Sequence, residues 1–128
     1  MKKLIMALML AVLSCTVANA QVYTYKSYAY AQKKPGYAWS NFVNSNLTIT
    51  INFNTDVIKI YNKLGSTFRI YNTYTQTDND GETQLHCDAL DEENLRCKVR
   101  LVVRNSGTSQ IYIDYNDITW CYNVRRIN

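Results

Sequence analysis

The chain has 128 residues, with 14 basic and 10 acidic side chains and a formal net charge of +4. This length suits one domain with a single hydrophobic core and leaves no room for a second domain. The basic excess is too small to indicate nucleic-acid binding, so no nucleic-acid partner is expected.

Residues 1–20 have the three-part layout of a secretory signal peptide. Lys2 and Lys3 form a cationic start, residues 4–13 form an apolar run, and an Ala-Asn-Ala sequence ends at position 20. The apolar run is shorter than the about 20 residues that a membrane-spanning helix requires. We therefore expect no transmembrane segment in the mature chain.

Cleavage of this signal before Gln21 would leave residues 21–128 as a single β domain, either secreted or periplasmic. Loss of the two lysines lowers the basic count from 14 to 12 against 10 acidic residues, so the net charge falls from +4 to +2. The alternative is a lipoprotein signal, in which Cys15 becomes the lipid-bearing first residue. Leu13 is bulkier than the residue usual at its position in such a signal, which favours free export.

The rest of the chain has the alternating pattern of antiparallel β-strands. Ile, Val, Thr, Tyr and Phe recur with a period of two, and no apolar stripe of helical period is long enough for a substantial helix. Between these segments lie all four glycines and the one proline, as in turns. The pattern predicts six consecutive strands that share one buried face: residues 46–53, 56–62, 67–76, 83–89, 95–103 and 110–115.

Hairpin pairing can be predicted because facing residues must point to the same side of the sheet. A three-residue loop of Lys63, Leu64 and Gly65, with Gly65 left-handed, would join the second and third of these strands. The predicted partners are Ile51 with Ile58, Ile49 with Ile60, Ile60 with Phe68, Tyr74 with Cys87, Leu85 with Val99, and Leu101 with Ile111 or Ile113.

Two further strands complete the predicted sheet. Residues 22–31 form the first strand, with a bulge at Lys26 and Ser27, so that Tyr23 and Tyr25 share one face and Tyr28 and Tyr30 the other; residues 118–124 form the last. Eight meandering antiparallel strands favour a small closed barrel, because closure removes exposed sheet edges. A two-sheet β-sandwich is the alternative. Segment 33–45, with Trp39, is expected to plug one end.

The mature chain would contain Cys87, Cys97 and Cys121 in an oxidising compartment. The predicted register places Cys87 opposite Cys97 on the inner face, so we predict a disulfide between them. Buried free thiols are the alternative, as is a bridge from Cys121 to either partner. A zinc site with His86 is disfavoured, because His86 points to the opposite face from both cysteines.

Catalytic and metal-binding motifs are weak. Asp78, Asp80 and Glu82 alternate as in the opening of a calcium loop, but the distant carboxylate is missing, and Asp-Asn-Asp-Gly is also typical of a tight turn. His86 is the sole histidine, and no serine lies in a Gly-x-Ser-x-Gly context. We expect a non-enzymatic protein without cofactor or metal.

The predicted outer face interleaves aromatic and cationic side chains. Such rings and cations are suited to stacking on a glycan or binding a protein partner. Exposed strands also carry these residues for packing and solubility. The candidate outer binding residues are Tyr61, Arg69, Tyr71, His86, Lys98, Arg100 and Tyr112.

The predicted interior suggests a second kind of site. An eight-stranded barrel is about the smallest that can enclose one small ligand, as lipocalins and streptavidin do. That comparison is one of architecture, because the chain matches neither family's sequence motif. Tyr74, Tyr115 and Trp120 would supply the polar groups of an otherwise apolar pocket. The expected function is an exported binding module for a small apolar ligand, a glycan or a protein; the alternative is a structural or inhibitory envelope protein that binds through its sheet edge.

Overall fold

The computed structural model describes residues 22–62 and 65–127. In these ranges the chain forms eight strands and no helix. Each strand pairs in antiparallel with the next, and the last pairs with the first, so the sheet closes into a barrel. The predicted all-β meander is confirmed as a barrel rather than a sandwich. The strands are β1 (Val22–Lys33), β2 (Val43–Asn52), β3 (Val57–Tyr61), β4 (Ser66–Thr77), β5 (Thr83–Leu90), β6 (Arg96–Val103), β7 (Ser109–Asp114) and β8 (Thr119–Arg126).

Some of the predictions fall on residues outside the described ranges. The signal peptide of residues 1–20, with Cys15, is one, and Lys63 and Leu64 of the predicted loop are others. Gly65 has a φ of 67°, the left-handed conformation predicted for it. Among the described residues there is no helix of the length and hydropathy needed to cross a membrane.

The β2–β3 hairpin shows how the alternating pattern directs the fold. Ile49 and Ile51 pair with Ile60 and Ile58, as predicted, and all four are buried, whereas Lys59 between the last two is exposed. Burying an isoleucine side chain stabilises the fold by about 1.5–3 kcal/mol. A slip of one residue would move this apolar set to solvent, so burial selects the observed register.

Two other hairpins test the predicted pairing at the residue level. Leu101 pairs with Ile111, which is one of the two predicted partners. Ile58, not the predicted Ile60, pairs with Phe68, so the β3–β4 register is shifted by two residues. A shift of two residues leaves every side chain on its predicted face, so the composition of the interior is unchanged.

The β5–β6 hairpin turns later than predicted. Leu85 pairs with Leu101 instead of Val99. The cause lies in the turn, where the Asp91 carboxylate accepts two backbone N–H groups of the loop and Asn94 adopts a left-handed φ of 62°. An aspartate that binds the backbone of its own turn sets the length of the loop.

A β-bulge after Ile70 changes the direction of side chains in β4. Tyr71 is the extra residue and is exposed. Beyond it Thr73 pairs with Cys87 and is buried, whereas Tyr74 faces outward. The prediction of Tyr74 as an interior ligand-binding residue, paired with Cys87, is wrong because it continued the alternation unbroken from Ile70.

The predicted bulge in β1 exists, but it lies just after Ser27. Tyr23 and Tyr25 are buried in the barrel, and Tyr28 is exposed. The prediction that Tyr28 and Tyr30 share one face is wrong, because the Tyr30 ring packs against the interior cluster. Because the bulge lies after Ser27, the inward alternation of the strand resumes at Tyr30.

The two ends of the barrel carry different loops. At one end, which we call the open end, the connections are residues 34–42, 62–65, 91–95 and 115–118. At the opposite end they are residues 53–56, 78–82 and 104–108. Between the ends, buried side chains from all eight strands pack into one apolar cluster. This cluster lies directly beneath any site at the open end.

Candidate functional site

A pocket of about 540 Å³ lies at the open end of the barrel. This volume is in the range of about 300–1,000 Å³ that small-molecule sites occupy. Its lining comes from the ends of six strands and the adjoining loop residues. The described lining residues are Tyr30, Asn44, Ser45, Asn46, Leu47, Ile60, Asn62, Ser66, Phe68, Ile113, Tyr115, Trp120 and Tyr122.

Loop 34–42 leaves the pocket open, since none of the described lining residues belongs to it. Gln32 and Ser40 are joined by two hydrogen bonds of 2.8 and 2.9 Å, which fold the loop back on β1. Trp39 then packs edge-on against Tyr112 on the outer face, with ring centroids 6.2 Å apart. The predicted plugging of one end by this segment is therefore wrong.

The deepest part of the pocket is apolar. Leu47, Ile60, Phe68 and Ile113 line it and belong to or pack against the core cluster; we call them the apolar floor. They come from four strands, and each occupies an inward position of the period-two pattern. The floor joins the pocket directly to the barrel interior.

One side of the pocket is aromatic. Tyr30, Trp120 and Tyr122 form this aromatic wall, and the Tyr30 ring lies 6.1 Å from Trp120 and 6.2 Å from Tyr122, with tilted planes. The wall exists because the β1 bulge brings Tyr30 opposite Tyr122. Burial, followed by the nearby Tyr30, raises the pKa of Tyr122 to about 12, so its phenol is neutral at physiological pH.

The pocket lining also includes a set of amides that we call the polar rim: Asn44, Asn46 and Asn62. All three are exposed, and none of their side chains has a hydrogen-bond partner within the described ranges. Ser45, between the first two, is already engaged with Ser27 at 2.9 Å. Each rim amide therefore keeps its donors and its acceptor available to a ligand.

Of the three predicted interior residues, Tyr115 and Trp120 line the pocket and Tyr74 does not. The Tyr115 hydroxyl donates a 2.9 Å hydrogen bond to the Asp91 carboxylate. Burial and this hydrogen bond raise the pKa of Tyr115. The sequence reasoning missed Tyr30, because the bulge position was misjudged.

The polar rim and part of the floor were also missed. Asn44 lies before the predicted start of its strand, and Asn62 lies at the end of its strand beside a turn. A lone asparagine near a turn has an ordinary structural explanation. Only the closing of the barrel brings these amides to the mouth of a pocket, and no local signal could have identified them.

The seven predicted outer residues divide into two groups. His86, Arg100 and Tyr112 are direct cross-strand partners on β5, β6 and β7, and Lys98 lies beside them. Tyr61, Arg69 and Tyr71 lie on β3 and β4, and all three are exposed. The seven therefore do not form one binding platform.

His86, Lys98, Arg100 and Tyr112 form the first of these groups, which we call the β5–β7 group. Its two cations, Lys98 and Arg100, are already paired within the protein. Arg100 forms a bidentate contact with Asp114, at 2.6 and 3.0 Å, and its guanidinium lies 4.3 Å from the centre of the Tyr112 ring. Lys98 donates a hydrogen bond to Tyr74 and lies 4.0 Å from the Asp88 carboxylate. This pairing leaves little unsatisfied charge with which to recognise an anionic ligand.

His86 is buried beneath this group, with 7 % of its surface exposed, and stacks on Tyr74 at 4.8 Å. Neither ring nitrogen has a hydrogen-bond partner in the described part of the chain. Burial and then the neighbouring Lys98 and Arg100 lower the pKa of His86, so the ring is neutral at neutral pH. His86 acts as a packed ring rather than as an exposed contact residue.

The three cysteines of the described ranges are buried free thiols, and the predicted Cys87–Cys97 disulfide is not formed in the structure. The shifted β5–β6 register places Val99 opposite Cys87 and Ala89 opposite Cys97. Burial raises the pKa of Cys87 to about 12 and that of Cys97 to about 11, which suppresses the reactive thiolate. Cys121 faces outward, opposite Tyr112.

The acidic residues of the β4–β5 turn bind the backbone of the protein itself. The Asp78 carboxylate accepts the N–H groups of Asp80 and Glu82, both at 3.0 Å. Glu82 forms an ion pair of 3.1 Å with Arg104 and accepts the N–H of Asn105. These contacts, which involve the side chains of Asp78 and Glu82, are typical of a tight turn bound to the neighbouring loop. Asp78, Asp80 and Glu82 also bring one carboxylate oxygen each to within 4.8 Å of one another.

Comparison of the chain with protein-family models, with curated proteins and with solved structures finds no match. The function must therefore be inferred from the geometry and chemistry of the open-end pocket and of the outer face. Of these two, the pocket combines apolar surface with exposed amides that have no partner within the described ranges.

Proposed function

We propose that this protein is an exported, non-enzymatic binding protein that holds a small, mainly apolar ligand in the open-end pocket of its barrel. The observation that carries the proposal is the pocket of about 540 Å³, with an apolar floor and an aromatic wall. Ligand sites are typically concave and apolar, with a few polar groups that orient the ligand. The export part of the proposal rests on residues 1–20.

The volume supports binding because protein interiors are normally filled. Voids larger than a water molecule are few, since each unfilled position loses dispersion contacts. An eight-stranded barrel can be filled entirely by its own side chains. This barrel instead leaves a mouth that is open to solvent above its packed core, where a ligand can bury apolar surface against the aromatic wall.

The lining chemistry favours binding over catalysis. The described lining residues include no histidine, cysteine, carboxylate or amine. Acid–base catalysis near neutral pH depends on such groups within hydrogen-bond reach of the substrate. The pocket instead offers apolar surface, neutral rings and amides, which are groups that bind and orient a ligand.

The outer face and the sheet edge have less support as binding sites. The cations of the β5–β7 group are paired with Asp114, Tyr74 and Asp88. The described strands close into a ring, so there is no free edge for a partner strand to extend. The structural or inhibitory envelope protein that binds through its edge is thus the weaker proposal.

Nile red, a neutral dye that fluoresces in apolar surroundings, tests the proposal. The change Ile60→Trp places a bulky ring in the floor, whereas Tyr61→Trp places the same ring on the exposed outer face of the same strand. We expect Ile60→Trp to weaken dye binding by at least about tenfold and Tyr61→Trp to leave it unchanged.

A second variant controls for the case in which Ile60→Trp loses dye binding because it misfolds. Ser66→Trp fills the pocket from the half-exposed start of β4 without altering the core cluster. It should also block the dye while retaining the unfolding midpoint of the native protein. Native protein that fails to bind the dye, or blocked variants that bind it normally, would show that the pocket is not the site.

A further inference from the structure

We infer that the pocket selects uncharged amphipathic molecules, with an apolar body inserted toward the floor and a hydroxyl, ether or amide group held at the mouth. This inference rests on the proposed function and names the class of its ligand. Three features support it: the polarity of the lining, the lack of charged side chains among the described lining residues, and the Asp91 carboxylate bound to Tyr115.

The lining changes from apolar to polar along the barrel axis. Leu47, Ile60 and Phe68 lie deep and pack against the core, whereas the polar rim lies at the ends of strands and is exposed. A ligand with both kinds of surface matches this gradient in one orientation only, with its apolar part inward. A hydrocarbon without a polar group would leave the rim unused.

The polar groups of the mouth suit a neutral partner. A carboxamide offers both donors and an acceptor, so Asn44, Asn46 and Asn62 can satisfy either side of a hydroxyl or amide. Their side chains have no partner within the described ranges. Trp120 and Tyr30, which carry an indole N–H and a hydroxyl, line the same pocket. The lining therefore offers both donors and acceptors to a hydroxyl held at the mouth.

The lining disfavours ions. Its described residues contain neither a cation for a carboxylate nor an anion for an amine. A charged group that loses its water without gaining a partner of opposite charge binds poorly. The aromatic wall is neutral as well, because burial raises the pKa of Tyr122 to about 12. A charged head group would therefore remain outside the pocket.

One neighbouring charge adds discrimination against anions. The Asp91 carboxylate accepts the hydrogen of the Tyr115 hydroxyl, so the Tyr115 oxygen presents lone pairs rather than a donor to its surroundings. Despite desolvation, hydrogen bonds from the Leu95 N–H and from Tyr115 lower the pKa of Asp91, which keeps it ionised. A negative charge beside an acceptor at the mouth repels a carboxylate ligand.

Competition with bound Nile red tests this inference with ligands of one chain length. The competitors are 1-decanol, methyl decanoate, decanoate and decylammonium at about pH 7.5. We expect the two neutral molecules to displace the dye at concentrations at least about tenfold lower than the two ions require. Methyl decanoate controls for shape, because it keeps the decanoate carbonyl and lacks its charge.

The polar rim is tested by Asn46→Leu combined with Asn62→Leu. The affinity of this variant for Nile red is measured first, and the competition is expressed as an inhibition constant that takes it into account. We expect the inhibition constant of 1-decanol to rise about fivefold, since two amide partners of the hydroxyl are lost. Asn54→Leu, in an exposed loop at the opposite end of the barrel, is the matched control and should leave the decanol competition unchanged.

The outcomes separate this inference from the proposed function. If Nile red binds in the pocket but decanoate or decylammonium competes as well as 1-decanol, the pocket is a binding site and the selection for uncharged ligands is wrong. If the double rim variant leaves the decanol competition unchanged, the assignment of the head-group site to the rim is wrong. If Nile red does not bind at all, both proposals fail.

Discussion

Tyr30 lies directly opposite Tyr122 across the seam where β1 meets β8, and both rings turn into the barrel mouth with centroids 6.2 Å apart. The β1 bulge, which leaves Tyr28 on the surface, creates this relationship. A single extra residue in one strand therefore directs Tyr30 into the pocket, where it completes the aromatic wall with Trp120 and Tyr122.

Tyr30→Ala should weaken both ligand binding and the fold. The ring is partly buried against the core, so we expect a loss of about 1–2 kcal/mol in the free energy of unfolding and weaker binding of Nile red. Urea denaturation and dye titration measure the two effects. Tyr28→Ala, two residues earlier and 47 % exposed, is the matched control and should change stability by less than about 0.5 kcal/mol. Equal effects of the two changes would contradict the inward placement of Tyr30.

The Arg100–Asp114 pair should contribute more to stability than the neighbouring Lys98–Asp88 pair. The first is bidentate and three-quarters buried, whereas the second is a single contact of 4.0 Å. We expect Asp114→Asn to cost about 1–2 kcal/mol and Asp88→Asn less than about 0.5 kcal/mol. Urea denaturation at low and high salt measures both, and a larger cost for Asp88→Asn would refute the ranking.

His86 should make the fold less stable as the solution is acidified. Burial, then Lys98 and Arg100, hold its folded-state pKa below the unfolded value of about 6.5. Above that pH the ring is neutral in both states and costs nothing. As the pH falls below about 6.5 the unfolded chain takes up a proton that the folded chain resists, so the free energy of unfolding decreases, by at most about 1.4 kcal/mol per pH unit.

His86→Phe separates this effect from the titration of carboxylates. Phenylalanine keeps the stack on Tyr74 and cannot be protonated. Between about pH 7.5 and about pH 5.5 the variant should lose less stability than the native protein in urea denaturation. A steeper or identical loss in the variant would show that His86 is protonated as readily in the folded state as in the unfolded one.

The cysteines should be inert in the folded protein and reactive once it unfolds. In a chain that begins at Gln21, all three thiols are buried and free. At about pH 8 we expect 5,5′-dithiobis(2-nitrobenzoate) to react at least about 100-fold more slowly than in urea, where three thiols per chain should be counted. A count of one thiol in unreduced, unfolded protein would instead reveal a disulfide.

The sequence by itself determined the class of the fold. The period-two alternation, with glycines at the breaks, was enough to predict an antiparallel meander and the β2–β3 pairing of Ile51 with Ile58, and it favoured a closed barrel over a two-sheet sandwich. Burial imposes this pattern locally, residue by residue along each strand. For the same reason the alternation alone predicts that Trp120 and Tyr115 face the interior, and both line the pocket.

Only the tertiary structure decided the details that make a site. The β5–β6 register depends on how Asp91 binds its own turn, and the outward direction of Tyr74 depends on a bulge at Tyr71. A bulge costs little locally, so the packing of neighbouring strands selects its position. The pocket itself is a volume left unfilled by the ends of six strands, and the alternation of one strand contains no information about the space between several.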